Sequence, residues 1–289
     1  MKKGILHGIL AYGSWGLFPI FWKQLQSVDA LQIIGHRIVW SFIVLSGLLL
    51  LLGKVTRKEL IPSRKVLEVY VLASLLIGVN WLLYVWAVNS GHIVESSLGY
   101  FINPLFSVCF GIFFFGEKLR KLQVGALLMA TGGVVYLSLA LGSVPWIALT
   151  LALSFGLYGV VKKKASLPPL HGLLLETGLL FIPALLYLIF RETEQTAAFL
   201  HGPPKTSWLL LACGAITTFP LVFFASAAQK IPLSLLGFLQ YLSPTLQFLT
   251  GVLLYQEPFS KERFIGFGMV WLALGVFAWD GRQSRKASS

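Results

Sequence analysis

The chain has 289 residues, 56% hydrophobic and only 12% charged, with a mean hydropathy of +0.79 and a formal net charge of +12. A soluble core near this length buries only about 75% of its chain's surface, and soluble domains carry roughly 25% charged residues, so a soluble enzyme is excluded. Two cysteines exclude a disulfide-stapled module, and the basic residues form no stripe or basic helix, so no nucleic-acid partner is expected.

A helix crossing about 30 Å of hydrocarbon needs ~20 mostly apolar residues. In chain order ten such runs occur, at about 4–22, 31–53, 67–89, 95–115, 122–140, 145–161, 170–190, 207–228, 233–255 and 264–280. Charged or Pro- and Gly-containing breaks separate them, among them Lys54 to Lys65, Glu117 to Lys121, Lys162 to Pro169 and Gln256 to Arg263. Backbone polar groups must be satisfied locally in lipid, so long runs without alternation mean helices; the alternating segments of a barrel are missing. The first run follows Met1-Lys2-Lys3 and mimics a secretory signal. It continues to Trp22 through Tyr12, Trp15 and Pro19 with no small-residue cleavage site, so it reads as a retained helix.

With the N-terminus inside, inner segments hold 17 Lys and Arg and outer segments 5, with Arg37 alone inside a span. That asymmetry predicts two cytoplasmic termini and an inner face suited to an anionic leaflet.

Internal similarity appears at an offset of 140 residues: Pro104, Gly111 and Glu117 fall on Pro244, Gly251 and Glu257 without a gap. Near an offset of 143, Tyr12-Gly13-Ser14-Trp15-Gly16 meets Phe155-Gly156-Leu157-Tyr158-Gly159. Two halves of five helices must insert in opposite directions, the arrangement of secondary transporters with a site near the midplane.

Ionisable residues inside a span are expensive, about 2.5–3.5 kcal/mol each on insertion scales. Arg37, beside His36, lies about 9 Å into the second run at 1.5 Å per residue. Glu176 lies at a similar depth in the seventh, from the opposite face, too far for a direct ion pair with Arg37. Either Arg37 snorkels to the outer surface and Glu176 to the inner one, or each faces the bundle interior. Ser96, Tyr100, Asn103, Ser107 and Gly111 form one helical stripe, matched by Leu236, Gln240, Ser243, Gln247 and Gly251; Asn80 and Tyr84 pair at i, i+4. Such stripes either line a shared aqueous cavity or bond helices together. Pro19, Pro104, Pro183, Pro220 and Pro244 permit bends within spans. The five histidines show no metal-ligand spacing, the cysteines stand alone, and no Walker A, H-E-x-x-H or G-x-S-x-G occurs. Neither an enzyme, a cofactor nor a metal is expected.

His36-Arg37-Ile38-Val39-Trp40-Ser41, Trp86-Ala87-Val88-Asn89 and the block from Glu95 to Leu105 resemble the RarD-type permeases, of the EamA family in the drug/metabolite transporter superfamily. The likeness spans essentially the whole chain. Phe21 and Ser96 stand where Tyr and Ala are expected, and Ser243-Pro244 only loosely repeats Asn103-Pro104. The resemblance implies an all-α membrane protein of ten transmembrane helices in two inverted five-helix EamA-like repeats, residues 1–141 and 142–289, acting as an inner-membrane permease of small solutes. The family name carries a chloramphenicol-sensitivity label.

The resulting expectation is an alternating-access secondary transporter, an exporter, of small amphipathic or zwitterionic metabolites or drugs. Trp15, Tyr84, Tyr100 and Tyr241 would form aromatic walls. His36, Arg37, Asn80, Asn103 and Gln240 would supply polar contacts, with Arg37 taking a substrate anion and Glu176 as the candidate proton carrier. The rival reading is a membrane scaffold or accessory subunit without flux of its own. A channel is disfavoured by the lack of a ring of like charges.

Overall fold

A computed structural model describes residues 1–54, 62–90, 92–139, 145–256 and 261–286; the side chains of 88, 89, 93–97, 262, 263, 281, 282 and 284–286 are not described. Ser96 of the first stripe, Glu257 of the repeat and the Asn89 and Glu95 side chains of the resemblance therefore lie outside the described residues.

The described chain is helical from end to end. The helices are α1 (Lys2–Trp22), α2 (Ala30–Leu51), α3 (Arg64–Asn89), α4 (Ile93–Phe115), α5 (Lys121–Leu139), α6 (Trp146–Lys164), α7 (Pro169–Thr193), α8 (Pro204–Ala228), α9 (Leu233–Gln240), α10 (Leu242–Leu249) and α11 (Lys261–Lys286). The first eight are long and apolar enough to cross a membrane. α11 carries a shorter apolar stretch, Phe264–Asp280. Large apolar side chains stand on the outside, Leu51, Phe113 and Leu253 being at least 74% exposed, which only a lipid-facing surface tolerates. The chain is a multi-pass membrane protein.

Local chemistry explains the boundaries. The Asp29 carboxylate accepts from Leu31 and Gln32 N–H and starts α2. Pro168-Pro169 and Pro203-Pro204 start α7 and α8, where a missing N–H costs nothing. The ninth apolar run is not one helix. α9 ends at Gln240 and α10 begins at Leu242, two residues before Pro244. Proline offers no N–H to the carbonyl four residues back, here Gln240, and its ring crowds that carbonyl.

Helices adjacent in sequence are not the principal partners. α1 packs on α8, α9 and α10, and α6 on α3 and α4; α2 packs on α7 and α8, α4 on α9, and α5 on α11. α4 and α9 cross at Gly237, where a Cβ would come within 2.7 Å of the Pro104 carbonyl and 3.0 Å of Ser107 Cβ. One apolar cluster, with Tyr12, Tyr158, Phe224, Leu233 and Leu236, fills one end of the bundle between α1, α6, α8 and α9. A second joins α4, α5 and α11.

Candidate functional site

At the opposite end from Leu233 the helices separate around a cavity of about 460 Å3. It is lined by Tyr12, Trp15, Phe18, Pro19 and Trp22 of α1, Ala30, Ile33, Ile34 and Arg37 of α2, Ile77, Asn80, Trp81, Tyr84 and Val85 of α3, and Gly99, Tyr100 and Asn103 of α4. Leu151 and Phe155 of α6, Leu221 of α8, Gln240 of α9 and Ser243, Pro244 and Gln247 of α10 complete it. The lining reaches the ends of α1 and α2 at Trp22 and Ala30, beside the exposed Lys23 and Gln24. Its inner limit is an aromatic stack: Trp15 meets Phe155 and Phe224 at 5.8 Å, and Phe224 stacks on Tyr158 at 5.7 Å.

The charge in this cavity is Arg37. Its Nε donates to Thr217 Oγ1 at 3.1 Å, and its guanidinium carbon lies 4.6 Å from the Trp81 ring centroid and 5.1 Å from that of Trp22. Among the described residues the ionisable groups near it are Cys213, Tyr100 and Tyr84. Among the described residues no Asp or Glu lines the cavity, and the other two guanidinium nitrogens meet no acceptor. Indole faces share a cation's charge, worth up to ~2 kcal/mol once desolvated, but offer no lone pair. The arrangement can therefore receive an anion, a carboxylate fitting the planar fork of donors.

Around Arg37 the polar groups divide by what holds them. Asn80 Nδ2 donates to the Leu151 carbonyl and Ser154 Oγ, both at 2.9 Å, so it ties α3 to α6 while facing the cavity. Tyr84 and Tyr100 meet edge-on at 6.1 Å. Gln240 Oε1 accepts from Ser107 Oγ at 3.3 Å, joining the two stripes across the α4–α9 crossing. Asn103 Oδ1 has no partner among the described residues and is buried at the cavity wall. Gln247 Nε2 donates to the Trp15 carbonyl at 3.2 Å.

Seven of the residues singled out by sequence thus meet at one cavity: Trp15, Arg37, Asn80, Tyr84, Tyr100, Asn103 and Gln240. Three do not line it. His36 points away from Arg37, as side chains one position apart on a helix must: its Nδ1 accepts from Trp40 Nε1 at 3.2 Å, and its ring packs on Phe199. Tyr241, at the break between α9 and α10, turns into the second apolar cluster instead of the wall. Glu176 sits at the closed end, where Lys162 Nζ lies 2.5 Å from Oε1 and Tyr158 OH donates to Oε2 at 2.9 Å. Lys162 is a correction: the sequence counts it in an inner connection, yet it belongs to α6 and is 1% exposed. Trp22, Trp81 and Thr217 also escaped the sequence reading. Trp81, between Asn80 and Tyr84, and Thr217, three residues before Pro220, were the available signals. Among the described residues no group of three His, Cys, Asp or Glu side chains forms a metal site.

Against known proteins, the chain matches the EamA-like transporter family over residues 2–139 and again over 143–279. It is 43% identical over 288 residues to Protein RarD of Streptomyces exfoliatus, covering 99% of this chain and 91% of the relative. It is also 43% identical to the uncharacterized transporter YojE of Bacillus subtilis, covering 99% and 97%. A solved crystal structure at 20% identity covers 94% of this chain and 96% of its own with a TM-score of 0.74, a likeness of fold. The family and the Bacillus relative are named as transporters, not as enzymes.

Proposed function

This chain belongs to the EamA-like transporter family, and from that premise we propose that it is a secondary permease moving small carboxylate-bearing metabolites or drugs by alternating access. The observation that carries the reading is a cavity closed at one end and holding an Arg37 guanidinium without a carboxylate partner among the described residues. Trp15, Tyr84 and Tyr100 are the apolar walls. Asn80, Asn103 and Gln240 are the neutral polar contacts. His36 and Tyr241 act behind the wall, holding α2 and the α9–α10 break in place.

The packing supports two inverted halves. Exchanging α1–α5 with α6–α11, with α9 and α10 taken as one interrupted span, converts the α1–α8 contact into α6–α3 and the α2–α8 contact into α7–α3. It leaves the α2–α7, α4–α9 and α5–α11 pairs in place, all contacts the bundle makes. With both termini in the cytoplasm of an inner-membrane protein, as the basic residues imply, the cavity opens outward. Export then requires the closed end to open toward the cytoplasm and load substrate.

Glu176 couples to protons only through Lys162. A proton on its carboxylate would leave the lysine charged and buried, a loss of several kcal/mol, unless the closed end admits water at the same moment. The reading predicts proton-dependent flux that Glu176→Gln abolishes; unchanged flux and pH dependence in that variant removes the proton role.

The test is flux in proteoliposomes against a panel of radiolabelled carboxylates, neutral amides and amines of similar size. Carboxylates should move and compete with one another, and Arg37→Ala and Arg37→Lys should lose their affinity. Full carboxylate affinity in both variants would remove Arg37 as the anion site, and no flux of any member of the panel would return the chain to the scaffold reading.

A further inference from the structure

The Pro–Gly–Glu spacing that marks the internal repeat gains a use at the closed end. α4 ends at Gly116, whose φ of +61° is reached without strain only by glycine. The reversal brings the next residue, Glu117, back over its own helix, and Glu117 N–H donates to the Gly111 carbonyl at 3.2 Å. The carboxylate then reaches into the other half of the chain. Oε1 accepts from Leu233 N–H at 2.6 Å and Oε2 from Ser234 N–H at 2.8 Å, so both oxygens sit on the N-terminus of α9. Lys163 of α6 stands 3.7 Å from Oε1 and donates to the Ile231 carbonyl at 2.6 Å, in the connection that leads into α9. Gly111 leaves room for this: a Cβ there would lie 2.5 Å from Glu117 Oε2 and 2.9 Å from Ser234 N.

Position makes this more than a helix cap. α9 carries Gln240 at the cavity and Leu233 at the closed end, and α4 carries Asn103 at the cavity and Phe115 at the closed end. Glu117 therefore clamps together, at the level of Gly111 and so about 12 Å along α4 from Asn103 at 1.5 Å per residue, the same two helices whose polar stripes meet across the site. The cavity cannot open toward that end while α4 and α9 stay joined there. Two N–H donors at a helix N-terminus and a lysine hold this carboxylate, so separation must exchange these partners for water.

We propose that Glu117 is the positioning residue that holds the bundle in the state seen here, a latch between the two halves whose release exposes the cavity to the opposite face. The proposal rests on the alternating-access reading. It is tested without substrate, so that a failure of flux and a failure of the latch are separate results.

The experiment follows maleimide labelling of single reporter cysteines in membrane vesicles of both orientations, in a background carrying Cys109→Ala and Cys213→Ala. Ala227→Cys, in the apolar cluster under the cavity, reports opening of the Glu117 end; Ile33→Cys, on the cavity wall, reports the open end. Glu117→Gln keeps the shape but turns an NH2 against one of the two backbone donors. It should raise Ala227→Cys labelling from the Glu117 face at least tenfold and lower Ile33→Cys labelling from the other face in parallel. Gly111→Ala, which displaces the same carboxylate sterically, should shift both rates in the same directions. A reciprocal change in both variants is expected of a latch. Unchanged rates, or both reporters becoming more reactive as in a loosened fold, would overturn it.

Discussion

The two ends of this bundle treat buried charge in opposite ways. At the closed end each carboxylate is satisfied by protein: Glu176 by Lys162 and Tyr158, Glu117 by two backbone N–H groups and Lys163. At the open end Arg37 has one hydroxyl and two indole faces, and no carboxylate among the described residues. A charge taken from water costs several kcal/mol unless it is paired, so an incompletely paired guanidinium marks a place where the partner comes from outside. The difference separates charges that the protein pairs itself from one that it leaves for a ligand.

The largest test of that contrast is at the closed end. Lys162→Met leaves the Glu176 carboxylate buried with only the Tyr158 hydroxyl, and should cost about 3–5 kcal/mol of stability, the usual loss when one member of a buried pair is removed. Adding Glu176→Gln to Lys162→Met keeps an acceptor for Tyr158 and removes the stranded charge, so most of the loss should return. Thermal unfolding in detergent reads both. Equal melting temperatures for the single and double variants would mean that the pair is not the reason for the burial of either residue.

Arg37→Met makes the complementary test. Here no protein charge is stranded, so the melting temperature should hold or rise, whereas carboxylate affinity should fall by roughly ten- to a hundredfold, the worth of a charged hydrogen bond at about 1.5–3 kcal/mol. Equilibrium binding of a labelled carboxylate together with the melt separates the two. A large loss of stability would place Arg37 with Lys162 as a structural charge and collapse the contrast between the ends.

What could be read from the sequence follows from what each signal measures. Apolar run length reports helices, and the runs reach the observed elements to within a few residues except where Pro244 divides the ninth. Helical spacing on α4 and α9 identified Tyr100, Asn103 and Gln240 as cavity residues, because spacing fixes which side of a helix a residue occupies. Neighbours in sequence misled for the same reason: His36 lies beside Arg37 in the chain but points elsewhere. Lys162 was hidden in a run of three lysines at a helix end, where charge ordinarily means solvent. Only its contact with Glu176, 14 residues on and across a helical hairpin, shows otherwise. Thr217 comes from α8, from which the sequence reading took no site residue, so packing reveals it; Trp81 stands beside Asn80, which that reading had already grouped with Arg37.

Thr217 offers the smallest and most specific test. Its hydroxyl accepts the Arg37 Nε proton and so leaves the two terminal nitrogens of the guanidinium directed at the cavity. Thr217→Val keeps the branched shape and removes the acceptor. The charge stays and the indole contacts stay, so only the aim of the fork changes. A neutral hydrogen bond contributes about 0.5–1.5 kcal/mol, so carboxylate affinity should drop some two- to tenfold. Because a fork matches a carboxylate with two donors and a single-point anion with one, the loss should fall more heavily on carboxylates than on halide competitors. Equal losses for both would mean that Thr217 tunes the local charge rather than the direction of the guanidinium. Arg37 would then act at the open end as a point charge, much as Lys162 does at the closed one.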